Sequence, residues 1–116
     1  VKTIVITRKY WGTRSLLNGD TGKMCCLGFA CVAYGISKKE MRGIGMPAQL
    51  PSKNCGRNKL PKWMLLTFVE MQASDADAGA AADINDDQFM PQAEKEKQLK
   101  ALFLKHKIRL VFRGKP

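Results

Sequence analysis

The chain reads as an α+β domain: a small antiparallel sheet pairing an N-terminal with a C-terminal strand, with three or so helices packed on one face. Three observations give that class. Residues 2–7, KTIVIT, are short and β-branched, the composition of a strand. Residues 107–113, KIRLVFR, alternate Ile108, Leu110 and Phe112 with Arg109, Val111 and Arg113, the period of a strand wet on one face. Between them, apolar residues recur at helical spacing. With 116 residues, the chain is expected to form one compact domain over 1–116. A chain of that length buries roughly two thirds of its unfolded surface and needs no staples.

The elements follow in order. After the first strand comes RKYWGTR, two aromatics set among cations, and then LLNGDTGK, rich in turn residues. In KMCCLGFACVAYG, Met24, Leu27, Cys31 and Tyr34 share one helical face, while Cys25, Phe29, Val32 and Ala33 make the others apolar too. A helix apolar all round lies inside a domain. Gly28, Ala30 and Ala33 let neighbours approach closely, and Gly35 is a natural C-terminal stop. SKKEMRG offers one polar helical turn. Residues 43–62 hold three prolines and are expected to be an ordered irregular loop. WMLLTFVEM fits a strand or a short helix equally well, since its periodicity does not decide. ASDADAGAAADIN, with Ser74 or Asp75 as cap, suggests a short helix ending near Asn85. Pro91 suits the first turn of a last helix, with Glu94 and Glu96 early and Lys105 and Lys107 late, matching the helix dipole.

Charge is segregated. Residues 1–69 carry twelve Lys/Arg against Asp20 and Glu40, residues 70–94 carry seven acids and no Lys or Arg, and residues 95–116 carry eight Lys/Arg against Glu96. The net is +10. A basic surface of that size attracts phosphate or an acidic protein face. The longest apolar run, residues 24–36, is too short to span a bilayer, so a cytoplasmic protein with no membrane partner is expected.

Four motifs bear on chemistry. Zinc is wrapped by C-x₂₋₄-C pairs; Cys26 and Cys31 have four residues between them and Cys25 and Cys31 five, but Cys26 and Cys31, five apart on a helix, are awkward as joint ligands, although Cys55 and His106 are free to complete a set in space. Buried reduced thiols are the expectation. Asp83, Asn85, Asp87 and Glu94 stand at positions 1, 3, 5 and 12 of an EF-hand spacing, but Gln88 occupies the position of the turn glycine and Pro91 reads as a helix start. GDTGKM lacks the first Gly and the Ser/Thr of a phosphate loop, and GIGMPA is broken by Pro47 where its helix belongs. His106, the one histidine, lies on the apolar face with Leu99, Leu102 and Phe103, where a histidine is ordinarily a satisfied core residue. No metal ligands, catalytic residues or cofactor are assigned.

The surface then carries the reading. Arg8, Lys9, Tyr10, Trp11 and Arg14 mix cations with aromatics, as single-strand binders do. Lys53, Arg57, Lys59 and Lys62 repeat the mixture beside Trp63, and Lys97 and Lys100 line the last helix with Lys105 and Lys107. The candidate nucleic-acid or partner-binding residues are Arg8, Lys9, Trp11, Arg14, Lys53, Arg57, Lys59, Lys62, Lys97 and Lys100. The opposing reading puts both tryptophans in the core.

GKMCCLGFACVAYGI, LPKWM and DINDDQFMPQAEKEKQLKALFLKHKIRLVF together resemble a group of small uncharacterised bacteriophage and prophage proteins. Their pattern is G-K-M-C-C-L-G-F near the front and N-D-D…E-x-E…L-F-x-K-x-x-I-x-V-x-F at the end. The likeness covers most of the chain, which departs from it in the Ala-rich residues 76–82 and in its basic balance. It implies a context rather than an activity: a phage accessory protein in the host cytoplasm, acting on host or defence machinery. The expectation is a non-enzymatic protein that works through a basic surface on nucleic acid or an acidic or nucleoprotein host partner, as an anti-CRISPR-like inhibitor does. The alternative is a domain stabilised by zinc or calcium, or a Cys-dependent catalytic one.

Overall fold

The computed structural model describes residues 2–50, 57–65 and 77–115. Strands β1 (Lys2–Thr7) and β2 (Ile108–Arg113) pair over their full length and run parallel, with Lys2 beside Ile108 and Thr7 beside Arg113. This corrects the antiparallel expectation. Alternation in IRLVFR fixes which side chains point inward, and it does so as expected: Ile108, Leu110 and Phe112 are buried with Ile4 and Ile6. It says nothing about the direction of the partner. Direction is set by helix α5 (Gln92–Leu104), which packs on β2 and reverses into it through a tight turn where Lys107 takes φ 62°. Parallel strands need such a crossover.

The helix number is also corrected. Besides α5 there are α1 (Cys26–Ala33), α2 (Lys38–Met41), α3 (Lys62–Leu65) and α4 (Asp77–Asp86), five in all among the described residues. The expected irregular loop contains two 3-10 turns, Pro47–Gln49 and Arg57–Lys59. The outer sheet face stays open, with Thr3, Val5, Arg109 and Arg113 exposed.

Helix α1 is the centre of the core. Residues 24–31 are all buried, while Val32 and Ala33 are exposed, so the helix is apolar all round but covered only over its first turns. Gly28 is required: a Cβ there would come within 2.0 Å of the Leu16 carbonyl oxygen. The helix ends at Gly35, φ 97°, whose N–H donates to Val32 O while Ile36 N–H donates to Cys31 O. Those two bonds make a Schellman cap, satisfying carbonyls left open by the last turn.

One buried polar side chain joins three segments. Asn85, 1% exposed near the end of α4, accepts at Oδ1 from Trp11 Nε1 (2.6 Å) and from the Cys26 backbone N–H (2.9 Å). Its amide Nδ2 donates to Gly12 O and to Asp86 Oδ1, both at 3.0 Å. Its donors and acceptor are thus all used, as a buried amide requires. The bond to Cys26 also satisfies a first-turn N–H of α1.

Candidate nucleic-acid interface

Because the strands are parallel, the basic residues that follow β1 meet those that end β2. Arg8 opens a 3-10 turn, Arg8–Tyr10, and its guanidinium grips Glu96 of α5 through Nε (2.8 Å) and Nη2 (2.7 Å). Its Nη1 donates to Gly114 O just beyond β2, and Gly114 lies against the Arg8 backbone. The fork-on-carboxylate geometry is the strong form of an ion pair. The Arg8 hydrogen bonds hold the Glu96 carboxyl below its ordinary range against the opposing effect of burial, with Gln92 Nε2 adding a bond at 2.9 Å.

This clasp gathers cations and aromatics. Phe112 stacks at a tilt on Trp11, ring centroids 4.9 Å apart, and Lys100 Nζ stands 5.8 Å from the Phe112 ring. Lys9 Nζ lies 5.6 Å from the Tyr10 ring, and Tyr10 as a residue is 48% exposed. Lys9, Lys100, Arg113 and Lys115 are all exposed, with Arg113 the last residue of β2 and Lys115 just past it. Lys97 stands three residues before Lys100 on α5 and is exposed as well; that spacing makes them neighbours on a helix. From here the ridge Trp11–Gly12–Thr13 runs between two clefts. One, about 190 Å³, is lined also by Asn85, Met90 and Lys95. The other, about 370 Å³, is lined by Asn18, Thr21 and Lys23.

The remaining candidates lie elsewhere. Lys59 packs near Gly35, beside Tyr34, whose ring carries Lys2 Nζ at 4.5 Å. That is the opposite end of the strands, about 20 Å away for six extended residues. Lys62 is exposed and Arg57 half-buried on the segments that flank Leu60. Lys53 lies outside the described residues. Arg14 is exposed, and its backbone N–H, at φ 72°, donates to Asp86 Oδ1 at 3.0 Å. Trp11 is half-buried with its N–H committed to Asn85, and Trp63 is buried. Sequence reasoning passed over Arg113 and Lys115, and it gave Tyr10 no role separate from Trp11. Their signal was the end of β2, but it is readable only once strand direction is known.

Among the described residues, Arg8 and Lys105 are the only Lys or Arg side chains within ion-pair distance of a carboxylate. Lys105 Nζ lies 3.1 Å from Asp77 Oδ2, and His106 Nε2 lies 2.6 Å from the same oxygen. His106 is also stacked on Trp63, 4.2 Å between centroids. Burial pushes the Asp77 carboxyl up, but the His106 and Lys105 hydrogen bonds outweigh it and leave it below its ordinary range.

The cysteines and the acidic stretch have plain structural settings. Cys25, Cys26 and Cys31 are buried thiols. Burial pushes Cys25 up to about 11 and Cys26 well above its ordinary value, so neither is a thiolate at neutral pH. Cys55 lies outside the described residues. Asp83 and Asn85 are helical in α4, and Asn85 faces the core, so the calcium-loop spacing does not form a loop. Asp87 instead accepts from the backbone N–H groups of Phe89 and Met90. Among the described residues no three His, Cys, Asp or Glu side chains are grouped to hold a metal, and no helix is long and apolar enough to cross a membrane.

No protein-family model, curated protein or solved structure matches this chain.

Proposed function

We propose that the protein binds nucleic acid, free or within a nucleoprotein complex, through the end of the sheet where β1 and β2 both terminate. The observation that carries this reading is the set of cations at that end, Lys9 beside the exposed Tyr10, Lys100 over Phe112, and Arg113 and Lys115 at and just past the end of β2, none of them within ion-pair distance of a carboxylate. Unpaired cations repel one another, and a surface that keeps them together suits a polyanion that replaces its own counterions. Arg8 serves as the anchor that fixes the turn, since its charge is already met by Glu96. In this reading the protein acts without catalysis, in a host cytoplasm, as an accessory factor of a phage or mobile element. Occlusion of a nucleic-acid-guided defence complex is one form such binding takes.

The test is a salt titration. Affinity for a labelled oligonucleotide should fall steeply with added salt, log K declining in proportion to the phosphates contacted. Affinity that ignores salt, or no binding in low salt, contradicts the proposal.

A further inference from the structure

We infer that the interface selects single-stranded over duplex nucleic acid, with the Tyr10 ring as the surface on which an unpaired base stacks. The inference rests on the reading just given and adds the form of the ligand. It starts from a division of labour among neighbouring aromatics. Phe112 is buried, and Trp11 is half-buried, packed on Phe112 and tied through its N–H to Asn85. Phe112 is therefore covered, and Trp11, which also lines both clefts, is held in place by that packing and by its N–H bond. Tyr10 differs: it is 48% exposed, and among the described residues the cation close to its ring is Lys9, at the end of a flexible stem.

The ring is exposed, yet its backbone is fixed. Tyr10 O accepts from Met24 N–H at 2.8 Å, and Gly12 N–H donates to Met24 O at 2.8 Å. On the other side Arg8 is held by Glu96 and Gly114. An aromatic on a rigid turn loses little freedom when a base stacks on it, so more of the stacking energy reaches the affinity. The surroundings suit a strand passing over it, with exposed Lys9 in the same turn and exposed Arg113 and Lys115 at and just past the end of the neighbouring β2. The ridge that begins at Trp11 carries Lys23 in one flanking cleft and Lys95 in the other. A duplex keeps its base faces stacked inside and offers only groove edges and phosphates. Toward a duplex Tyr10 contributes no stacking; toward a single strand it does.

The experiment is fluorescence anisotropy with single strands of mixed sequence, DNA and RNA, and the duplex of the same sequence. The set is run with the wild type, Tyr10→Ala and Tyr10→Phe. The expected result is tighter binding of a single strand than of the duplex. Tyr10→Ala should weaken single-strand binding by about 5- to 100-fold, the range of one base–aromatic stack, and leave duplex binding unchanged. Tyr10→Phe keeps the ring and should stay within about twofold, a few tenths of a kcal/mol. Should the alanine variant melt low, Tyr10→Leu keeps apolar bulk without a π-face and gives the same readout. Equal binding of both forms, indifferent to Tyr10→Ala and still steep in salt, overturns the stacking inference while the charge-based reading stands. Binding of neither form overturns that reading itself.

Discussion

The two ends of the parallel strand pair are both basic, but they are built differently. At the end where the strands terminate, one carboxylate, Glu96, locks Arg8, while Lys9, Lys100, Arg113 and Lys115 have no carboxylate within ion-pair distance and Lys9 stands beside the exposed Tyr10. At the end where they begin, Asp77 takes up Lys105 and His106, His106 lies flat on buried Trp63, and Lys2 covers the half-buried Tyr34. Each end holds an internal ion pair between elements: Arg8–Glu96 ties the turn after β1 to α5, and Lys105–Asp77 ties the end of α5 to α4. Among the described residues, the first end has the more exposed ring, Tyr10 at 48%, beside an unpaired cation, while Tyr34 at the second is half-buried. In the proposed function, charge alone does not mark the site; charge next to an exposed ring does.

Breaking the support beneath the first end should have the largest effect. Asn85→Ala removes the partner of Trp11 Nε1, Cys26 N–H and Gly12 O in one step. Each buried group left unpaired costs about 1–3 kcal/mol, so a loss of about 2–5 kcal/mol in urea denaturation is expected. Oligonucleotide binding should fall with it, since the Tyr10 turn leads directly into Trp11. A stability change below about 1 kcal/mol would mean that the amide is not the joint between the three segments.

The two carboxylates sharpen the comparison. Glu96→Gln and Asp77→Asn should both lower the urea midpoint, because each loosens an ion pair that crosses between elements. Only Glu96→Gln should also weaken nucleic-acid binding, by releasing Arg8 and the turn that carries Lys9 and Tyr10. Equal effects of the two on binding would erase the distinction between the ends.

Acid should affect both ends together. Glu96 is held low chiefly by the Arg8 bonds; Asp77 is pushed up by burial but brought lower by His106 and Lys105. A carboxyl whose folded pKa is depressed contributes stability that is fully present above its unfolded pKa, about 4, and is lost as pH falls through the folded value. Stability from these two groups should be level from neutral pH to about 5 and then decline below about 4. In Glu96→Gln the decline should be shallower. Urea midpoints across that range read it directly.

Much of this architecture was legible in the chain. The alternation of Ile108, Leu110 and Phe112, the cap at Gly35 and the close approach at Gly28 follow from side-chain period and the absence of a Cβ, which are local properties. What was hidden is non-local. Strand direction depends on how α5 reverses at Lys107, and no pattern within KTIVIT or KIRLVFR encodes it. The site inherited that gap: with the wrong direction, Arg8 and Arg113 belong to opposite ends, and with the right one they are neighbours. Asn85 shows the same limit. Its oxygen fits a calcium spacing in sequence, and only the position of α4 against α1 and the Trp11 ridge turns it inward.

The most direct test of the central claim compares two double charge reversals. Lys9→Glu with Arg113→Glu changes the charge at the end where the strands terminate. Lys38→Glu with Lys39→Glu makes the same change on exposed α2. Both are surface replacements away from the core, so both should stay folded within about 1 kcal/mol of the wild type. Anisotropy with one single-stranded oligonucleotide at low and physiological salt should show the first variant losing most of its affinity and much of its salt slope, and the second losing little of either. Equal losses from the two variants, or a larger loss from the α2 pair, would show that the protein binds through its net charge and not through this end of the sheet.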